Sequence, residues 1–188
     1  MNFVLVGAGG HAKVIVETVV AQGGRIARYV DSAAAGWLNA PRETSDEALT
    51  PADGTLLLGL GGIDPEGLEQ RFALLDRYLA RGFQSDPLVH PAAWVSSSAT
   101  LESGSVVLAG AVVQPNVRIG RGVIVNSGAI VEHDSTVGDG SHIAPGAIVL
   151  GACEVGRFCM IGAGAVILPQ VRVSDRSLVA AGTRRGGS

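Results

Sequence analysis

From Val89 onward an aliphatic residue returns at every sixth position: Val89, Val95, Leu101, Val107, Val113, Ile119, Val125, Val131, Val137, Ile143, Val149, Val155, Ile161, Ile167, Val173 and Val179. These sixteen hexads run without insertion. Four residues after each aliphatic stands a small or β-branched residue, from Ala93 and Ala99 through Cys153 and Cys159 to Thr183. A period of six fits neither an amphipathic helix nor plain strand alternation. It predicts short strands joined by tight turns, with one aliphatic pointing inward from each flat side. Three hexads close one triangular coil, and successive coils stack at the ~4.8 Å spacing of paired strands. The glycines of this region, including Gly104, Gly110, Gly120, Gly122, Gly128, Gly138, Gly140 and Gly146, suit turns that need positive φ.

Residues 1–88 follow a different pattern. Met1–Val6 reads as a buried strand, and Gly7–Ala12 as a glycine turn opening a helix to about Gln22. Arg25–Val30 reads as a second strand ending at Asp31, and Thr55–Leu60 as a third ending at Gly61-Gly62. Pro65–Arg81 carries the clearest helical pattern, and residues 36–54 are expected to be loop with a short helix near Asp46–Leu49. Strand, glycine turn, helix and strand predict a small parallel sheet. The expected architecture is an α/β, Rossmann-like half domain over residues 1–88, then a parallel β-helix over residues 89–188.

Composition supports this division. The chain of 188 residues is 47% hydrophobic yet only 4% aromatic. A narrow prism filled by stacked Val and Ile has little room for aromatic rings. Cys153 and Cys159 fall at the cramped hexad position and are read as small hydrophobes. A net charge of −3 gives no reason to expect nucleic acid. Residues 1–88 hold eleven acids against seven bases, and residues 89–188 six against seven, with Arg157, Arg172, Arg176, Arg184 and Arg185 crowded toward the end. The longest apolar runs fall far short of the ~20 residues of a membrane span. The N-terminus has no cationic region before a cleavable apolar segment, so a cytoplasmic protein is expected.

Two places carry candidate chemistry. Gly7–Ala12 fits G-x-G-x-x-A, with Asp31 at the end of the next strand, as in dinucleotide-binding turns. Backbone N–H groups of such a turn approach a diphosphate at a helix N-terminus. A βα turn that simply needs glycine gives the same pattern. With only one mononucleotide unit present, a nucleotide diphosphate carrying something other than nicotinamide fits better than NAD. The second place is the run Glu132-His133-Asp134, hard to explain as core. An imidazole takes a proton near neutral pH, and an adjacent carboxylate fixes its tautomer. Glu132 reads equally as a solvated charge. His90, before Pro91, reads as structural, and His11 in its glycine turn as ligand-facing.

The two halves together resemble bacterial acyltransferases of nucleotide-linked amino sugars, including bacillosamine-pathway N-acetyltransferases and sialic acid O-acetyltransferases. The resemblance rests on Val6–Lys13, Val89-His90-Pro91, the block Asn126 to Asp134, Gly138–Gly146 and Ile161–Val166. It implies a left-handed β-helix and a homotrimer with acetyl-CoA in the groove between adjacent prisms. It implies His133 as general base, assisted by Asp134, with Glu132 and Asn126 beside them. His142 would lie near the thioester, and Gly151, Ala163 and Ala181 would meet the CoA arm. Gly9, Gly10, His11, Asp31, Ser32 and Gly61 would meet the nucleotide sugar. A metal is not expected: one carbonic anhydrase class uses this solenoid with three histidine ligands, but here only His133 and His142 lie well within the prism. Many relatives end in a further strand and a Gly-x-Pro-Ala-Lys/Arg tail. Here Leu178–Arg185 is followed only by Gly-Gly-Ser, and Arg184 and Arg185 are expected to face the CoA phosphates.

The leading expectation is acetyl-CoA-dependent N-acetylation of a UDP- or GDP-linked 4-amino-4,6-dideoxy sugar. The alternatives are O-acetylation of sialic acid or a related sugar, and a nucleotide-binding trimeric scaffold without catalysis.

Overall fold

Alternation of Phe3 and Leu5 with Val4 and Val6 puts apolar side chains on both faces of strand β1, Asn2–Val6. A strand buried on both faces belongs in the middle of a covered parallel sheet. In the computed structural model, which describes residues 1–186, β1 takes that place. It pairs in parallel with β2 (Arg25–Val30) and with β4 (Thr55–Leu58), and β2 pairs with a two-residue strand β3 (Arg42–Glu43). The sheet order is β3-β2-β1-β4. Helix α1 (Gly10–Ala21) buries Ala12, Ile15 and Val19 against Phe3, Leu5 and Leu57 on one face. Helix α2 (Pro65–Ala80) buries Leu75 and Tyr78 against Val4, Val6, Leu56 and Leu58 on the other. Asp64 caps α2, its carboxylate accepting from Gly67 N–H at 2.8 Å, with Pro65 just inside. The expected helix near Asp46–Leu49 is absent; a single 3-10 turn forms instead at Pro51–Asp53, closed by reciprocal bonds between Thr50 and Asp53.

From Leu88–Val89 to Arg184–Arg185, seventeen two-residue strands wind into a left-handed parallel β-helix of about five turns. Each strand pairs with the strand 18 residues away, as in Ile124↔His142 and Ile130↔Ile148. The result is three parallel sheets of six, six and five strands. The second residue of each strand points inward, and Val107, Val125, Ile143 and Ile161 form one buried column. The small hexad residues fill the corners, including Cys153 and Cys159, both buried free thiols whose pKa burial pushes up. Arg184–Arg185 pairs with Val166–Ile167, so one more strand follows the sixteenth hexad. Gly187 and Ser188 lie outside the described residues.

Each corner demands positive φ once per coil, and the three corners meet the demand differently. One corner is all glycine: Gly110, Gly128, Gly146, Gly164 and Gly182. A second has none: Asn116, Asp134, Ala152 and Gln170 take φ of 56 to 62°. The third runs Gly104, Gly122, Gly140, Phe158 and Arg176 and receives α2. A Cβ on Gly104 would strike Leu75 at 2.6 Å, and Phe158 packs edge-on against Phe72 at 5.5 Å between ring centroids. Arg176 pairs with Glu69. Gly120 and Gly138 are not positive-φ residues as expected. They are glycines because the next coil comes too close: a Cβ on Gly120 would lie 2.7 Å from Asp139.

Candidate functional site

The glycine-free corner carries the Glu132-His133-Asp134 run. His133 Nδ1 lies 2.8 Å from Asp134 Oδ2, and Asn116 Nδ2 donates to Asp134 Oδ1 at 3.0 Å from one coil below. A carboxylate accepts, so His133 Nδ1–H donates, and in the neutral ring Nε2 keeps a lone pair. The His133 hydrogen bond first, then the Asn116 bond, hold the Asp134 carboxyl below the usual carboxylate range. The imidazole is 58% exposed, with Nε2 above Gly151, where a Cβ would lie 2.8 Å away. Gly151 therefore makes room for the catalytic candidate itself. Among the described residues the Glu132 side chain has no hydrogen-bond or ion-pair partner, which places it outside this chain of contacts.

His142 is elsewhere. It points outward from the sheet that the N-terminal domain covers and is 6% exposed. Nδ1 lies 2.8 Å from Gly62 O and Nε2 lies 2.9 Å from Asn126 Nδ2. Burial, with Arg71 nearby, lowers its pKa against the raising effect of the Gly62 bond. Burial thus works against a protonated His142, and both ring nitrogens are already engaged. Among the described residues no hydrogen bond joins His142 or Asn126 to His133, so the candidate residues divide into two clusters. Among the described residues no group of three metal-binding side chains forms.

The glycine turn ends β1 and opens α1. Gly9 is the N-cap without a side-chain cap, the first turn has no acid, and a Cβ on Gly9 or Gly10 would meet nothing within 4 Å. This leaves bare N–H groups facing open space, as an anion site requires. Asp31 Oδ2 accepts from Ala8 N–H at 2.7 Å and Oδ1 from Ala33 N–H at 2.9 Å. The Ala33 bond first and the Ala8 bond next lower its pKa. Asp31 thus braces the turn, with the Ser32 hydroxyl 3.5 Å away. His11 lies against Gly61 with a buried, unpartnered Nε2. Burial foremost, then Arg71 and His142, push its pKa down to about 3.

Toward the C-terminus, Ala163 and Ala181 are exposed and stacked one coil apart beside the all-glycine corner. The crowded arginines prove unequal. Arg157 stacks on Phe158, Arg172 pairs with Glu154 at 2.7 Å and Arg176 with Glu69. Among the described residues Arg184 and Arg185 pair with no carboxylate. Arg184 is exposed, whereas Arg185 is half-buried at the end of an inward column.

Three residues escaped sequence reasoning. Asn116 stands 18 residues before Asp134, at the same corner, and the repeat itself carried that signal. Gly62 and Arg71 act across the junction of the two halves, which no repeat encodes.

A glycine-turn sheet followed by this prism defines a hexapeptide-repeat transferase. Residues 118–151 match the family model for bacterial transferase hexapeptide (six repeats), and residues 2–61 match the PglD N-terminal domain. Comparison with curated proteins found no significant match. Among solved structures, the acetyltransferase domain of PglB from Neisseria gonorrhoeae superposes with a TM-score of 0.90 at 34% identity, over 98% of this chain and 90% of that one. The same domain in complex with acetyl coenzyme A gives 0.89 at 33%, over 98% and 92%. A variant of perosamine N-acetyltransferase from Caulobacter crescentus, in complex with CoA and GDP-perosamine, gives 0.86 at 28%, over 98% and 88%. The chain belongs to the hexapeptide-repeat sugar acyltransferase family. No helix among the described residues is long and apolar enough to cross a membrane.

Proposed function

We propose that this protein transfers the acetyl group of acetyl-CoA to the amine of a UDP- or GDP-linked 4-amino-4,6-dideoxy sugar. The carrying observation is the chain Asn116–Asp134–His133, which leaves His133 Nε2 as an exposed base. The sugar nitrogen attacks the thioester carbonyl, the C–N bond forms, and the C–S bond breaks. His133 Nε2 takes the proton from nitrogen, and the CoA sulfur leaves as the thiolate. Asp134 stabilises the imidazolium that results. No covalent enzyme intermediate is needed, because the thioester is already activated. The nucleotide diphosphate sits at Gly9, Gly10 and the start of α1, near His11, Ser32 and Gly61. The acetyl-CoA arm runs past Gly151, Ala163 and Ala181 toward Arg184 and Arg185. The complexes of the two relatives with acetyl coenzyme A and with CoA and GDP-perosamine support this choice of substrates.

The working form is a homotrimer. The prism side bearing Trp94, Val112, Ile130, Ile148 and Val166 presents an uncharged outer column ending in Arg184, whereas another side presents Arg118, Glu154 and Arg172. That uncharged side lies between the all-glycine corner and the His133 corner, so a second prism seated there would bound a groove containing both. Thiol release from acetyl-CoA over a panel of nucleotide amino sugars, with sialic acid as the O-acetylation control, tests the reaction. His133→Ala is expected to lower kcat about a hundred- to ten-thousandfold with little change in KM. Near-normal turnover by that variant refutes the assignment.

A further inference from the structure

Arg71, on α2, is 3% exposed and has no carboxylate partner among the described residues. Burying an unpaired cation is costly, and burial alone pushes its pKa down to about 10. The guanidinium reaches two carbonyls on opposite sides of the junction. Nε donates to Leu60 O at 2.8 Å, at the end of the N-terminal sheet, and Nη1 donates to Gly122 O on the prism.

Two residues past Leu60, the Gly62 carbonyl meets His142 Nδ1. A carbonyl can only accept, so the neutral ring carries its proton on Nδ1. Nε2 then holds a lone pair and accepts from Asn126 Nδ2. The other end of that amide is fixed as well, because Ser127 N–H donates to Asn126 Oδ1 at 2.8 Å. A protonated ring would turn the amide over and break the Ser127 bond. In the arrangement observed, half-buried Asn126 retains one uncommitted N–H.

We propose that Arg71 is a positioning residue: it clamps the Leu60–Gly62 segment to the prism, Gly62 sets the His142 ring, and the ring aims the free Asn126 N–H at the reacting groups. His142 is then a positioning residue too, not a contact of the thioester. The clamp couples the two ends of the substrate, since the Gly61-Gly62 segment that flanks the nucleotide turn also orders the amide. This inference rests on the acyl-transfer reading above.

Nitrogen NMR of the ligand-free protein and steady-state kinetics test it together. Wild-type His142 is expected to show protonated Nδ1 and unprotonated Nε2. In Arg71→Met that pattern gives way to a tautomer mixture, and kcat falls about ten- to a hundredfold while the acetyl-CoA KM stays within about twofold. Arg71→Lys, which keeps one donor, recovers part of both readouts. If the methionine variant does not fold, the lysine variant carries the test and is expected to lie between the two. Unmoved His142 signals in the folded variants overturn the proposal, as does a loss of activity that follows Tm alone. A wild-type protein that transfers no acetyl group refutes the reaction, whereas the ring signals still decide the clamp.

Discussion

Asn116 and Asp134 stand one coil apart at the same corner, both at φ 60°, and are joined by a 3.0 Å hydrogen bond. The bond occupies the Asp134 oxygen that His133 does not use. It stops the carboxylate from turning and so fixes the direction of the imidazole. Asn116→Ala is expected to lower kcat roughly tenfold, less than the ~100-fold that a 1 Å misplacement can cost. Substrate KM values should hold, and a variant with unchanged kcat would show that Asp134 needs no second partner.

Gly151 does not need glycine for its backbone, since its φ lies outside the left-handed region. It needs glycine because a Cβ would lie 2.8 Å from Nε2 and 2.9 Å from Cε1 of His133. Gly151→Ala is expected to leave Tm close to wild type while reducing kcat about a hundredfold. A large fall in Tm with normal specific activity in the folded fraction would contradict this.

Arg184 and Arg185 are free of intramolecular ion pairs among the described residues, whereas Arg172 and Arg176 are not. The double substitution to Ala is expected to raise the acetyl-CoA KM and to flatten its dependence on ionic strength. Arg172→Ala, which removes only an exposed pair with Glu154, should change neither. Equal effects from the two variants would refute the assignment of the terminal arginines.

His11 makes stability depend on pH. Its folded pKa of about 3 lies below the ordinary histidine value of 6.5, so between these limits the unfolded chain binds the extra proton. The contribution is complete above about 6.5 and is lost as pH falls toward 3. His142 acts in the same direction. His11→Gln should therefore flatten the acid limb of a stability-against-pH curve from denaturant titrations. An acid limb with unchanged slope would mean that His11 is not buried neutral.

Much of this molecule could be read in its sequence because the prism is written locally. One aliphatic per hexad fixes each inward column, and Gly7–Ala12 with Asp31 marks the strand-turn-helix start. The two-residue strand Arg42–Glu43 has no periodicity to reveal it, and Asp46–Leu49 forms only a single turn, with Leu49 N–H donating to Asp46 O, where a helix was expected. His133-Asp134 was visible as neighbours in sequence. The setting of His142 was hidden because it comes from Gly62, 80 residues away, and from Arg71 on a helix whose docking no repeat specifies. Arg184–Arg185 escaped as a strand because an arginine replaces the aliphatic that marks every earlier hexad.

Helix α2 has a consequence for how the prism unfolds. A stack of coils that each touch only their neighbours tends to fray from an end, one repeat at a time. Leu75 meets Gly104 and Gly122, Phe72 meets Gly140 and Phe158, and Glu69 meets Arg176, so one helix spans five successive coils. It acts as a splint, making the loss of any one coil felt by the others. Melting should therefore be a single cooperative transition shared by sheet and solenoid, and weakening the Phe72–Phe158 contact should broaden that transition before it lowers its midpoint.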